Sequence, residues 1–254
     1  HEAFHIARTG RPGPVLVDIT KDVQQASIPY VPSQLCPPQS KARPVRELLP
    51  DALKHAVDLI DRAERPLILA GQGVLKSEAC QELIAFAEKT GIPVALTLLG
   101  LGAFPATHPR CLGMMGMHGE AWVNTAIQQA DLLIALGMRF DDRVTGNLQT
   151  YALNARKIHI DIDPSEINKN VRVDVGIVAD VRSSLQTLQE AVQSSPRQKW
   201  NDRLTALKGD SAVRDIQSLP HNGRLFAAHV IHDIWKLTDG KAVVVTDVGQ
   251  HQMW

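Results

Sequence analysis

Between residues 45 and 192, short apolar runs alternate with segments whose apolar residues recur at helical spacing. That alternation leaves few architectures open. Runs of strand type occupy residues 66–70, 92–97, 131–136, 157–161 and 176–179. Between them lie helical patterns at 45–63 (regular only beyond Pro50), 77–90, where Ser77 and Glu78 suit the first turn, 120–129 and 181–192. Strands separated by helices join through right-handed crossovers into a parallel sheet covered on both faces. The expected fold class is therefore α/β, with a central doubly wound parallel sheet. Ligands on such sheets bind outside the carboxyl ends of the strands.

The flanks differ. At the start, a helical pattern through Arg8 leads to the turn Gly10-Arg11-Pro12-Gly13-Pro14 and the apolar run 15–19, which suits a buried parallel strand. Pro29, Pro32, Pro37, Pro38 and Pro44 then fall among Ser, Gln and Lys, a density of proline that marks an extended linker. At the other end a polar stretch contains a helical pattern over 199–208. An amphipathic helix at 224–237 follows, and the strand-like run 242–246 begins what reads as a new sheet. A helical pattern already under way at His1, and a strand so close to Trp254, suggest a piece of a longer chain.

Composition narrows the partners. Lys plus Arg equals Asp plus Glu at 27 each, so nucleic acid and anionic membrane are not expected. No apolar run reaches the ~20 residues that span a bilayer. Cys36, Cys80 and Cys111 are far apart and in no metal-ligand spacing, which reads as reduced thiols in packing roles.

Four loops at strand exits carry the chemistry. The first is Gly71-Gln72-Gly73, where glycines let backbone amides approach a phosphate and a following helix favours negative charge. Read alone, it is equally a tight turn. The others are 97–102, the stretch 137–146 with Arg139, Asp141, Asp142 and Arg143, and Asp161-Ile162-Asp163-Pro164 with Glu166 beyond. Arginine for pyrophosphate, a carboxylate for ribose hydroxyls and glycine for flat rings suit a dinucleotide. A local ion-pair network among Arg139, Arg143, Asp141 and Asp142 is the competing reading. His118 has no second histidine at ligand spacing, so no metal site is expected. Asp163 before Pro164 reads as a helix cap, leaving Asp161 alone at its strand end.

Together these segments resemble the acetolactate synthase family of thiamine-diphosphate enzymes. The resemblance rests on Gly10 to Asp18, Gly116-Met117-His118-Gly119, the loop Arg139 to Gly146, His159 to Asp163 and the ending Asp247 to Trp254. It implies three successive α/β domains. Residues 1–26 would end a pyrimidine-binding domain, 27–45 form a linker, 46–194 a Rossmann-like FAD-binding domain, 195–221 a second linker, and 222–254 the start of a truncated diphosphate-binding domain. The flavin contacts it implies are Arg11, Gly71, Gly73, Thr97, Leu98, Met117, His118, Gly137, Arg139, Arg143, Val144, Asp161, Ile162, Asp180 and Val181. Gln250 and His251 would line the thiamine-diphosphate site, and Lys21 the substrate channel. Gln72 departs from a third glycine found in many relatives.

The implied reaction decarboxylates pyruvate and condenses it with a second 2-keto acid, pyruvate or 2-ketobutyrate, in branched-chain amino-acid biosynthesis. The implied cofactors are FAD, thiamine diphosphate and magnesium, whose ligands would lie outside this chain. A homodimer or tetramer, a regulatory small subunit and a cytoplasmic or plastid setting go with the family. Alone, the 254 residues are not expected to turn over. The competing assignments are a flavin-containing relative of the glyoxylate carboligase or pyruvate oxidase type, and a nucleotide-binding module without catalysis.

Overall fold

The computed structural model describes residues 2–29, 50–210, 223–249 and 251. Along the chain run α1 (Glu2–Arg8), α2 (Lys21–Gln25), α3 (Pro50–Arg62), β1 (Pro66–Ala70), α4 (Gln72–Lys76), α5 (Cys80–Thr90) and β2 (Val94–Leu96). A 3-10 turn (Leu98–Gly100) leads to β3 (Cys111–Met114), α6 (Ala121–Gln129), β4 (Leu132–Leu136), α7 (Asp142–Thr145), β5 (Arg156–Asp161) and β6 (Val175–Val178). Then come α8 (Val181–Ala191), α9 (Gln198–Asp210) and α10 (Ala227–Leu237).

The strands form one six-stranded sheet in the order β3-β2-β1-β4-β5-β6, and every pairing is parallel. The order reverses direction between β1 and β4, which pair from Pro66 opposite Leu132 to Ala70 opposite Leu136. Both central strands are buried along their whole length, as continuous apolar runs in a sheet covered on two sides should be. Alternate residues feed opposite cores. Ile68, Ile134 and Ile158 meet Ile60 of α3, Phe86 of α5 and Leu185 of α8. Leu67, Leu69 and Leu133 meet Trp122 and Ile127 of α6 and Trp200 and Leu204 of α9.

Several expectations need correction. The helix expected over 77–90 begins only at Cys80, as α5, and a separate short helix, α4, precedes it. Ser77 is the C-cap of α4 and its hydroxyl donates to the Gly73 carbonyl at 2.8 Å, while Glu78 takes a left-handed backbone (φ 54°), which breaks the helix there. The helical pattern at 199–208 forms as α9, but Trp200, Leu204 and Leu207 are buried in the second core, so this part of the stretch read as linker from 195 packs with the central domain. The runs 15–19 and 242–246 form no strand and pair with none among the described residues, and Leu16, Val243 and Val245 lie in the open. An apolar β-branched run makes a strand only where a neighbour supplies the ladder bonds. Strand β3 was not anticipated. Its sequence, Cys-Leu-Gly-Met, carries a central glycine and no β-branched residue, and the strand lies at the sheet edge.

Candidate functional site

The reversal of strand order opens a crevice, and the chain makes it narrow at the base through glycine. Gly71 and Gly73 follow β1, and Gly137 follows β4. A Cβ added to Gly73 would lie 2.5 Å from the Gly137 Cα, and one on Gly71 would lie 2.4 Å from the Gly137 carbonyl oxygen. The Gly71 amide donates to the Leu136 carbonyl at 2.9 Å and the Gly73 amide to the Gly137 carbonyl at 3.0 Å. These glycines therefore let two backbones touch. They do not present open amides to a phosphate, the role the loop suggested in isolation.

Above this contact lies a cavity of about 770 Å³, within the range of small-molecule sites. Every residue that the resemblance assigned to flavin lines it. Gly71 and Gly73 stand at the exit of β1, Thr97 and Leu98 at the exit of β2, and Met117 and His118 beyond β3. Gly137, Arg139, Arg143 and Val144 follow β4, Asp161 and Ile162 end β5, Asp180 and Val181 follow β6, and Arg11 arrives from the N-terminal segment. Met114, Met115, Met138 and Phe140 also line the wall and were not anticipated. Their signal was weak, because apolar residues near a strand end read as core. Lys21 and His251 are exposed and do not line the cavity, and Gln250 lies outside the described residues.

The polar groups are held in distinct ways. Asp141 is the N-cap of α7, its Oδ1 accepting the Val144 amide at 3.2 Å, while its Oδ2 meets Arg139 Nε at 3.0 Å. Part of the anticipated ion-pair network thus forms. Arg143 stands apart from it: among the described residues no carboxylate pairs with its guanidinium, and Nη1 donates to Met117 Sδ at 3.4 Å. Arg11 is already neutralised, with Nη1 at 2.7 Å from Glu166 Oε1 and 3.4 Å from Asp163 Oδ2. Asp163 caps the turn beyond β5 by accepting the Ser165 amide at 2.9 Å. Burial pushes the Asp161 carboxyl above its usual range, although Oδ1 accepts the Asp163 amide at 2.8 Å.

The Gly116–Gly119 loop is set by α6. Asn124 accepts the Gly116 amide at 2.9 Å and donates to its carbonyl at 2.8 Å, and the Met117 amide donates to the Arg143 carbonyl at 2.7 Å. Gly116 has φ 96°, and a Cβ there would lie 2.6 Å from that same carbonyl oxygen. The turn and the close approach both require glycine. No group of three or more His, Cys, Asp or Glu able to hold a metal occurs among the described residues.

Beneath the wall, His159 is fully buried and its Nε2–H donates to the Met138 carbonyl at 2.7 Å, with Phe140 edge-on at 5.1 Å. Burial lowers its pKa from 6.5, against the Met138 bond and the Glu166 charge; Asp161 Oδ2 lies 3.9 Å away. Below about 6.5 the unfolded histidine takes up a proton that the folded one resists, so stability falls as pH drops through that range. Asp161, raised in the fold, acts with the opposite sign at more acid pH. His159→Gln, which keeps an N–H donor, should lose less urea stability than the unaltered chain between about pH 7.5 and about pH 5.5. Equal losses in both would remove His159 from this account.

Residues 53–188 match the family described as the thiamine pyrophosphate enzyme central domain. The whole chain is 46% identical to the acetolactate synthase large subunit of Corynebacterium glutamicum over 260 residues, covering 41% of that protein. It is 42% identical to chloroplastic acetolactate synthase 1 of Zea mays, covering 40% of it. With a probable acetolactate synthase large subunit of Methanocaldococcus jannaschii it shares 43% identity over 99% of this chain and 44% of the relative. The chain spans about two-fifths of the length of these curated relatives. With the family matching more than half of its residues over the six-stranded sheet just described, the chain belongs to the thiamine pyrophosphate enzymes, whose central domain it contains.

Proposed function

We propose that the cavity holds FAD in a Rossmann-like manner, within the catalytic subunit of an acetolactate synthase. The observation that carries the flavin reading is the cavity's double character. One wall is thioether and aromatic, from Met114, Met115, Met117, Met138 and Phe140, and beside it stands Arg143, which has no carboxylate partner among the described residues. A large flat heteroaromatic ring suits the first and a pyrophosphate the second. Residues from every strand exit converge there, and the glycine contact at the base removes the side chains that would fill the space.

The enzymatic part of the proposal rests on the similarity to acetolactate synthases. The complete protein decarboxylates pyruvate and joins the product to a second 2-keto acid, pyruvate or 2-ketobutyrate. It does so as a homodimer or tetramer, with a regulatory small subunit as a possible associate. Thiamine diphosphate, when bound, supplies the carbanion chemistry. Of the residues assigned to that site only His251 is described, and no described cluster fits a magnesium clamp on the diphosphate. The flavin does no net redox work in this reaction, so the described residues bind and orient rather than transform.

Arg143→Ala should weaken FAD binding by roughly ten- to a hundred-fold, the worth of one charge-assisted hydrogen bond. Arg11→Ala should cost less, because Arg11 is already shared with Glu166 and Asp163. Flavin fluorescence titration reads both, with NAD followed by calorimetry. Preferential binding of NAD by the unaltered chain would end the flavin reading.

A further inference from the structure

We infer that Met117 is a site of reversible oxidation by peroxides, and that its sulfoxide weakens ligand binding in the cavity by capturing Arg143. Four of the chain's five methionines line this one cavity, an arrangement that concentrates its oxidisable sulfur at the ligand. They are not equally open. Met115 and Met138 are 3% and 5% exposed, Met114 is half-buried, and Met117 is 60% exposed.

Among the described residues Met117 is also the one of the four whose sulfur accepts from a cation. Arg143 Nη1 donates to its Sδ at 3.4 Å, and the Met117 amide donates to the Arg143 carbonyl at 2.7 Å. Asn124 fixes the preceding glycine from both sides, so the sulfur is held against the guanidinium by backbone as well as side chain. A thioether is a weak acceptor. Attack of its lone pair on a peroxide breaks the O–O bond and forms the S–O bond. Sulfur loses two electrons, and the peroxide is reduced to water or an alcohol. The product is a polar sulfoxide, which sulfoxide reductases return to methionine.

The sulfoxide oxygen is a far stronger acceptor, placed where the guanidinium already is. Arg143 then gives one of its donors to Met117 instead of to a bound phosphate. This last step rests on the flavin reading above; the order of oxidation does not.

The test exposes the chain to hydrogen peroxide, follows each methionine by peptide mass, and titrates FAD before and after. Met117 should oxidise several-fold faster than Met114, Met115 and Met138, and FAD affinity should fall about tenfold or more. Reduction by methionine sulfoxide reductases should restore it. In Arg143→Ala, and in Met117→Leu, peroxide should leave each variant's own affinity where it was. Oxidation of a buried methionine as fast as Met117 would overturn the inference, as would unchanged FAD affinity in a chain oxidised at Met117. Absence of FAD binding by the untreated chain would sink the flavin reading and with it the capture of Arg143, while the oxidation order would still decide whether Met117 is the site.

Discussion

Gly73→Ala should destabilise the central sheet by about 1–3 kcal/mol and close the base of the cavity, because its new methyl group meets backbone with nowhere to move. The Gly137 Cα lies 2.5 Å from where that carbon would be. Relief requires β1 and β4 to part at their carboxyl ends, where Gly71 and Gly137 also bond to the neighbouring strands. Gly137→Ala should cost more, about 3–5 kcal/mol, since it adds a left-handed backbone (φ 56°) to the same collision. Gly102→Ala separates the two contributions. Gly102 has φ 91° but nothing within 4 Å of the added carbon, so it carries the conformational cost alone. Urea unfolding and FAD titration of the three variants should rank Gly137 first and Gly102 last in lost affinity. A Gly73→Ala chain as stable and as tight-binding as the original would show that the strands separate freely.

Arg197→Ala should have a comparable effect far from the cavity. Arg197 lies between α8 and α9, and its guanidinium donates to three backbone carbonyls. These are Ile60 at 2.6 Å, Ala63, and Thr90 at 3.0 Å, at the C-terminal ends of α3 and α5. Those carbonyls have no partner within their own helices. One rigid planar cation thus caps two helices and fixes the approach of a third. Losing it should cost about 3 kcal/mol, or roughly 6–12 °C in Tm for a domain of this size. Arg197→Lys should recover only part, since a single ammonium does not span the same fork. Calorimetry on the two variants decides this. A fall of under about 2 °C in Arg197→Ala would mean that water replaces the guanidinium at little cost.

How much of this was legible beforehand depended on where the information resides. Strand β1 was readable to the residue, because Pro66 to Ala70 is a closed apolar run bounded by Arg65-Pro66 and Gly71. All the residues proposed for flavin except Arg11 converge on one cavity because they follow strand exits, which parallel topology gathers at one edge. The break between α4 and α5 was not readable, since Ser77-Glu78 is ordinary helix-starting sequence, yet Ser77 closes α4 and Glu78 takes a left-handed backbone. Nor was the partnership of Arg11 with Glu166, which are 155 residues apart. Local sequence says which groups carry charge, whereas pairing depends on the whole fold. The same holds for Gly71 and Gly73, where the spacing suggested a phosphate loop and the fold makes a backbone contact.

The position of α9 bears on synthesis. The Trp200 indole N–H donates to the carbonyl of Pro66, the first residue of the first strand, across 134 positions of sequence. Until the ribosome has released residues 200–207, the face of the sheet carrying Leu67, Leu69 and Leu133 has α6 and loop residues such as Phe140 and Tyr151 over it but lacks Trp200, Leu204 and Leu207. Nascent chains shorter than this therefore emerge with a partly uncovered apolar surface, the kind that trigger factors and chaperones bind. The central domain becomes a finished folding unit only when the helix beyond its last strand leaves the exit tunnel.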